Sequence, residues 1–389
     1  MAGSGDLLTD AESDRIYQEE IRPLHLGGVD RSAAPTVILV GGAPGSGKTV
    51  IVPTVAAELA SRSGTPVVLS VDELREHHPG WQREAPTDIR AAERFNPDAS
   101  TWVRRLYRDA MAEHKNIVLE TGFKNPQLLS DTAAEFRAAG YRIEAVILAV
   151  DEQRTRRSVI GRYLDAQDKG LLPRMVTALR HQEGYEGLRT TVQKAEVNRL
   201  VDHIKIVRRD GSALYNNQVV DGKWQKERGA VAALDAERER PLTPTEKVNN
   251  AIAWHELTVR ALRSPNTPVN VMEQTVAWRK EASERALADR DAAKQYGWRL
   301  AGESFRTMPR EQFLREFPTY AGAVERLDKA TEHANAHYSI EQNRQAFVTT
   351  ARDRLAKQIE EGRQFGRVKQ GDKEPHLTTA KTTEEGRSR

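Results

Sequence analysis

The run Gly42-Ala43-Pro44-Gly45-Ser46-Gly47-Lys48-Thr49 constrains this chain more than any other segment. It fits the pattern G-x-x-x-x-G-K-[ST], and it sits between the apolar run Val37 to Val40 and a helical pattern from Thr49 to Ser61. A strand feeding such a loop into a helix predicts a phosphate cradle. Glycines let successive backbone N–H groups turn inward on one anion, and the helix N-terminus adds partial positive charge. Lys48 can reach the terminal phosphates of a nucleotide, and the Thr49 hydroxyl can hold a Mg2+ ion. The loop thus nominates Gly42, Ala43, Pro44, Gly45, Ser46, Gly47, Lys48 and Thr49 as nucleotide-binding residues, with Thr49 also the metal residue. No Asn-Lys-x-Asp signature for guanine is present, so ATP is the expected nucleotide.

Strand and helix patterns alternate around this loop. Strands are expected at Pro66 to Val71, Asn116 to Leu119, Arg142 to Val150 and His203 to Val207, with a hairpin at Ala213 to Val220. Helices are expected at Ala91 to Glu113, broken at Asn96-Pro97, and at Gln127 to Ala139. This alternation implies an α/β fold, a mostly parallel sheet flanked by helices. After about Arg228 the strand signals stop. Helices follow at Ala230 to Arg240 and Glu246 to Arg263, then one long helix at Val271 to Glu303. In the last helix Ile340, Phe347, Ala351, Leu355 and Ile359 form one stripe. The expected organisation is a P-loop kinase domain over 1–228, an all-α extension over 229–365 and a disordered tail over 366–389.

A kinase needs a base to take the proton of its acceptor hydroxyl. Asp72, directly after the second expected strand, stands where such a base is needed. It can equally be the N-cap of a helix from Glu73 to His78.

The run Val71-Asp72-Glu73-Leu74-Arg75-Glu76-His77-His78-Pro79-Gly80-Trp81 resembles the Asp…His-Pro element of zeta toxins, the kinase components of toxin–antitoxin systems. The segment Leu8 to Gly28, with Glu19-Glu20-Ile21, is similar to the helix leading into their P-loop. The resemblance covers roughly Leu7 to Trp224. It implies a transferase that moves phosphate from ATP to the 3′-hydroxyl of UDP-N-acetylglucosamine, with Asp72 as base. It further implies that Lys48, Arg162 and Arg174 stabilise the transferred phosphoryl group, and that Glu120, Thr121 and Lys124 face the acceptor. Departures are visible. The chain reads Glu120-Thr121-Gly122 where the family has Glu-Gly-Thr, and Lys124 and Arg104 replace a usual Arg and a usual acidic residue. The charge reversal at Arg104 favours a more anionic acceptor. His78 reads as a structural donor holding the loop after Asp72.

Composition limits the alternatives. The 389 residues carry 59 Lys and Arg against 56 Asp and Glu, a net charge of +3, so no strong affinity for nucleic acid is indicated. The absence of cysteine removes disulfides, thiolate zinc sites and cysteine nucleophiles. No run of eighteen apolar residues appears, and Met1 to Asp10 lacks signal-peptide features, so the cytoplasm is the expected location. The helical extension reads as a packed structural or partner-binding unit, or as a cis inhibitor, since antitoxins of this family are helical modules that occlude the nucleotide site. His255 and the tryptophans Trp254, Trp278 and Trp298 read as packing residues. Other readings are a kinase for a different hydroxyl acceptor and a nucleotide-binding interaction protein.

Overall fold

The computed structural model describes residues 7–85, 91–171 and 173–366. Its centre is a sheet of seven strands, β1 (Thr36–Gly41), β2 (Val67–Leu69), β3 (Ile117–Thr121), β4 (Arg142–Leu148), β5 (His203–Val207), β6 (Ala213–Val220) and β7 (Lys223–Trp224). Their order across the sheet is β2-β3-β1-β4-β5-β6-β7. The first five are parallel, and β6 and β7 add antiparallel to the edge. Alternation along β1 shows why both faces are covered: Val37 and Leu39 enter one core, Ile38 and Val40 the other. Ile51, Val52, Val55 and Leu59 of helix Lys48–Ser63 pack on the second face. Helices Ala91–Ala112, Pro126–Ala138 and Ala178–Val197 cover the first.

Helix Ala91–Ala112 runs through Pro97, where a break was expected. Proline inside a helix costs about 3 kcal/mol. Phe95, Ala99, Trp102, Leu106 and Ala110, on either side of it, are buried on one stripe and offset that cost. The single helix expected over Val271 to Glu303 is two, Val269–Leu287 and Arg290–Thr307. Asp289 ends the run by capping the second helix, its carboxylate accepting from the N–H groups of Asp291 and Ala292.

The chain forms two compact units that meet at Arg285 and Ala286, not at the expected Arg228. The reason lies in buried polar contacts. Glu196, 4% exposed, accepts hydrogen bonds from Tyr215 Oη and from the N–H groups of Gly229 and Ala230, tying the start of helix Ala230–Arg238 to the sheet unit. Helices Pro244–Arg263 and Val269–Leu287 bury Trp254, Ala261, Val271 and Trp278 against Val159, Ile160, Tyr163 and Leu164.

The second unit has its own core. Ala301, Phe305, Phe313, Ala323, Val324, Ala356 and Ile359 pack together from helices Arg290–Thr307, Arg310–Glu316, Ala321–His337 and Glu341–Glu360, joined by Tyr320 of the turn Pro318–Tyr320 and by Phe365 after the last helix. Of the expected last stripe, Ala351 and Ile359 are buried, while Ile340 is exposed ahead of the helix. Gly362, at φ +81°, lies under the Trp298 ring. The expected tail lies outside the described residues except for Gly366, as do Met1 to Asp6 and Leu172. No described helix is long and apolar enough to cross a membrane.

Candidate functional site

The carboxyl ends of β1, β2, β3 and β5 open on a cavity of about 970 Å3 in the first unit. Its floor is the glycine loop after β1. Gly45 and Gly47 take left-handed backbone, φ +79° and +100°. A side chain at Gly45 would strike the backbone carbonyl of Thr155, so both conformation and space require glycine there. The Ser46 hydroxyl is buried with no hydrogen-bond partner among the described residues. Lys48 Nζ donates to the carbonyls of Gly42 (3.0 Å) and Ala43 (3.3 Å). Thr49 follows in the first turn of its helix and lines the cavity. An N-terminal helix turn, a left-handed glycine loop and an ammonium group together fit a polyphosphate.

Asp72 projects from the rim above β2. The strand ends at Leu69, two residues earlier than expected, and Ser70 is the cap of helix Val71–Leu74, its hydroxyl accepting from the Asp72 N–H at 3.3 Å. The capping alternative for Asp72 is therefore removed, and its carboxylate faces the cavity. One oxygen, Oδ1, accepts from Arg75 Nη2 at 2.8 Å, and the other, Oδ2, pairs with Arg174 Nη1. Arg75 is 1% exposed. It donates to Asn96 Oδ1 at 3.0 and 2.6 Å and lies over the Trp81 ring, 5.0 Å from its centroid. Burial lowers the Arg75 pKa to about 10, so it stays charged at neutral pH and holds Asp72 in one orientation. His78 is structural as expected: Nδ1 accepts from Gly80 N–H, Nε2 lies 3.2 Å from Asp98 Oδ2, and the ring packs on Phe95.

Glu120, Thr121 and Lys124 line the cavity from the end of β3 and the loop after it. The Thr121 hydroxyl accepts from Phe123 N–H at 3.3 Å, which supports the positive φ of Phe123. Arg162, from helix Glu152–Asp168, and Arg174, from the segment after it, complete the wall. The neighbouring arginines are engaged elsewhere: Arg156 pairs with Glu152 and Glu281, and Arg157 donates to Asn250. Arg162 opens to the cavity yet is surrounded by its walls, and this burial lowers its pKa, with Glu120 opposing. Burial likewise brings Arg174 down to about 10.

Every expected site residue but Ala43 and Ser46 lines the cavity, and those two are buried in the loop itself. None of residues 229–285 lines it, so this part of the chain does not occlude the loop as a cis inhibitor would. Three contributors escaped the sequence reading. Arg75 stands three residues after Asp72, a spacing that puts both on one helix face. Arg209 stands two residues past β5, where ligand contacts gather in parallel sheets; it lines the cavity beside Gly47 and donates to Ser158 Oγ at 2.9 Å. Asn96, far from Asp72 along the chain, leaves no such signal.

Burial lowers the Lys48 pKa to about 8; Glu120 opposes the shift, and Arg162 and Arg174 add to it. A phosphate ligand favours the ammonium form, so nucleotide binding takes up a proton near pH 8. As pH rises from 7 to 9, ATP affinity should fall, by up to about tenfold per unit above the free pKa. Calorimetric titrations in buffers of different ionisation enthalpy measure both effects; a flat affinity without proton uptake would overturn the lowered Lys48 pKa.

Comparison with known proteins adds a family. The zeta toxin family model matches residues 26–220. The protein "Toxin zeta" of Enterococcus hirae is 23% identical over 186 residues, which cover 47% of this chain and 64% of that protein. The chain thus spans a little under two thirds of that relative's length. "Toxin PezT" of Streptococcus pneumoniae serotype 4 is 24% identical over 214 residues, 54% of this chain and 82% of that protein. A solved structure from the PezAT chromosomal toxin–antitoxin system of Streptococcus pneumoniae matches with a TM-score of 0.54 at 22% identity. It covers 67% of this chain and 100% of that one.

Proposed function

This chain belongs to the zeta toxin family of kinase-like P-loop proteins, and from that premise we propose that it is an ATP-dependent kinase of a sugar nucleotide. UDP-N-acetylglucosamine is the first acceptor to test, at its 3′-hydroxyl. One observation carries the reading. The Asp72 carboxylate, the Lys48 ammonium and the guanidiniums of Arg162 and Arg174 line a single cavity, whose volume suits a nucleotide and a second polar substrate.

In the proposed reaction the glycine loop and Lys48 hold the ATP phosphates, and Thr49 would hold the Mg2+ ion. The ion would neutralise charge on the phosphate oxygens. Asp72 takes the proton of the acceptor hydroxyl as the acceptor oxygen bonds to the γ-phosphorus. The bond from that phosphorus to the β–γ bridging oxygen breaks, and ADP leaves. Arg162 and Arg174 stabilise the charge on the transferred group. Arg174 pairs with Asp72 here, so it is already at the junction between base and phosphate and can exchange one anion for the other. Arg104 and Lys124 line the cavity as well and favour an acceptor with phosphates of its own.

The test is incubation of the full chain with Mg-ATP and a panel of nucleotide sugars, free sugars and polynucleotide ends, followed by mass spectrometry. The expected product is a nucleotide sugar heavier by one phosphate, with stoichiometric ADP. Transfer only to a free sugar or a polynucleotide end would overturn the acceptor assignment, and ATP binding without transfer to any compound would overturn the kinase reading. An antitoxin partner belongs to the same proposal, supported by the toxin names of the relatives and by the toxin–antitoxin system from which the matching solved structure comes; a cytoplasmic location, where ATP is available, is part of it too.

A further inference from the structure

Helices Pro244–Arg263 and Val269–Leu287 lie beyond the residues matched by the family model. We propose that they form a brace that positions the two cavity arginines, with Gln274 the residue that fixes the Arg174 segment. The inference rests on the phosphate role given to Arg162 and Arg174 above.

Residues 173–177, just ahead of helix Ala178–Val197, carry Arg174 without regular structure of their own. Such a segment holds a guanidinium in place only if something outside it does the fixing. Here the fixing comes from the brace. Met175 and Val176, directly after Arg174, are buried in one cluster with Trp254, Val271 and Trp278. Gln274 then bonds the backbone on both sides of Thr177. Its Oε1 accepts from the Ala178 N–H at 3.0 Å, and its Nε2 donates to the Val176 carbonyl at 3.4 Å. Ala178 begins a helix, so its N–H has no acceptor within that helix, and the Gln274 amide supplies one.

The Arg162 helix is gripped along its length by the same two helices and the turn between them. Gln153 donates to Glu281 and accepts from Trp254 Nε1. Arg260 pairs with Asp165 and Asp168, and Gln167 bonds Ser264, Thr267 and the Asn266 carbonyl. Tyr163 and Leu164, next to Arg162 in sequence, are buried in the brace cluster. These contacts converge on the two elements that carry Arg162 and Arg174. Among the described residues, the hydrogen bonds and ion pairs of Lys48 and Asp72 go to partners outside the brace, which makes its action selective for the arginine side of the cavity.

The experiment measures the preference of the full chain for ATP over ADP, because the arginines are assigned to the γ-phosphate and the glycine loop to the phosphates both nucleotides share. The variants are Gln274→Ala, the similarly sized Gln274→Met, Arg174→Ala and the double variants. Arg174→Ala should lower the preference by about tenfold. Each Gln274 variant should lower it by about threefold to fivefold, leave ADP affinity unchanged, and have no further effect in the Arg174→Ala background. Thermal denaturation identifies any variant that fails to fold, and Gln274→Met, which keeps the side-chain volume, then carries the test. An unchanged preference in the Gln274 variants, with a clear loss in Arg174→Ala, would overturn the brace. So would an equal loss from Gln274→Ala with and without Arg174, which marks a general packing effect. A wild-type preference in Arg174→Ala would instead overturn the phosphate role of Arg174 itself.

Discussion

Asp72→Asn slows phosphoryl transfer by about 10^3-fold and leaves ATP affinity equal to or slightly tighter than wild type. The substitution keeps size and shape, and the Asn oxygen still accepts from Arg75, whose guanidinium remains bonded to Asn96. What is lost is the ability to take a proton from the acceptor hydroxyl. Asn also weakens the pair with Arg174, freeing that guanidinium for phosphate, which is why binding does not suffer. Single-turnover transfer measured beside equilibrium ATP binding separates the two terms. Transfer within tenfold of wild type would remove Asp72 as the base. Loss of ATP binding in step with transfer would reassign it to nucleotide binding.

Lys48→Met weakens ATP binding by about tenfold to a hundredfold and slows transfer by about 10^2- to 10^3-fold in addition. Methionine fills the same space without charge. It cannot reproduce the hydrogen bonds to the Gly42 and Ala43 carbonyls, nor the attraction to phosphate and to Glu120. The pH dependence of ATP binding near pH 8 should vanish with it. Lys48→Arg is not expected to rescue the rate, because a planar fork does not occupy the place of a point charge held between two carbonyls. Rate and affinity measured at saturating acceptor test this. An active Lys48→Met protein would show that the loop cation contributes little to transfer.

Much of the site was legible because it is local in the chain. The glycine loop, Lys48 and Thr49 sit at fixed offsets between one strand and one helix, and that spacing carries its own chemistry. Asp72 and Glu120 stand at or near strand ends, which a parallel sheet brings to one edge. Arg162 and Arg174 came from a resemblance, and choosing Arg162 over Arg154, Arg156 or Arg157 was beyond periodicity. In the structure Arg162 lines the cavity, while Arg156 and Arg157 bond elsewhere.

The departures share a cause. The strand expected to run to Val71 ends at Leu69, and that early end makes Ser70 the cap and decides the alternative left open for Asp72. Pro97 is a break in an isolated helix and a tolerated defect in one buried on both sides of it. The helices after Arg228 look autonomous because their apolar stripes say that a face is buried without saying against what.

Residue type and spacing alone specify the phosphate loop, the alternation that builds a parallel sheet, and the position of an acidic residue beside it. These follow from spacing and residue type over a few positions, where backbone geometry leaves little choice. That Arg75 and Asn96 hold Asp72, and that the helices up to Arg285 pack on the arginine-bearing elements, emerges in the folded chain. Those outcomes depend on contacts between residues far apart in the chain, and burial energy is set by the partner surface, which no local pattern encodes.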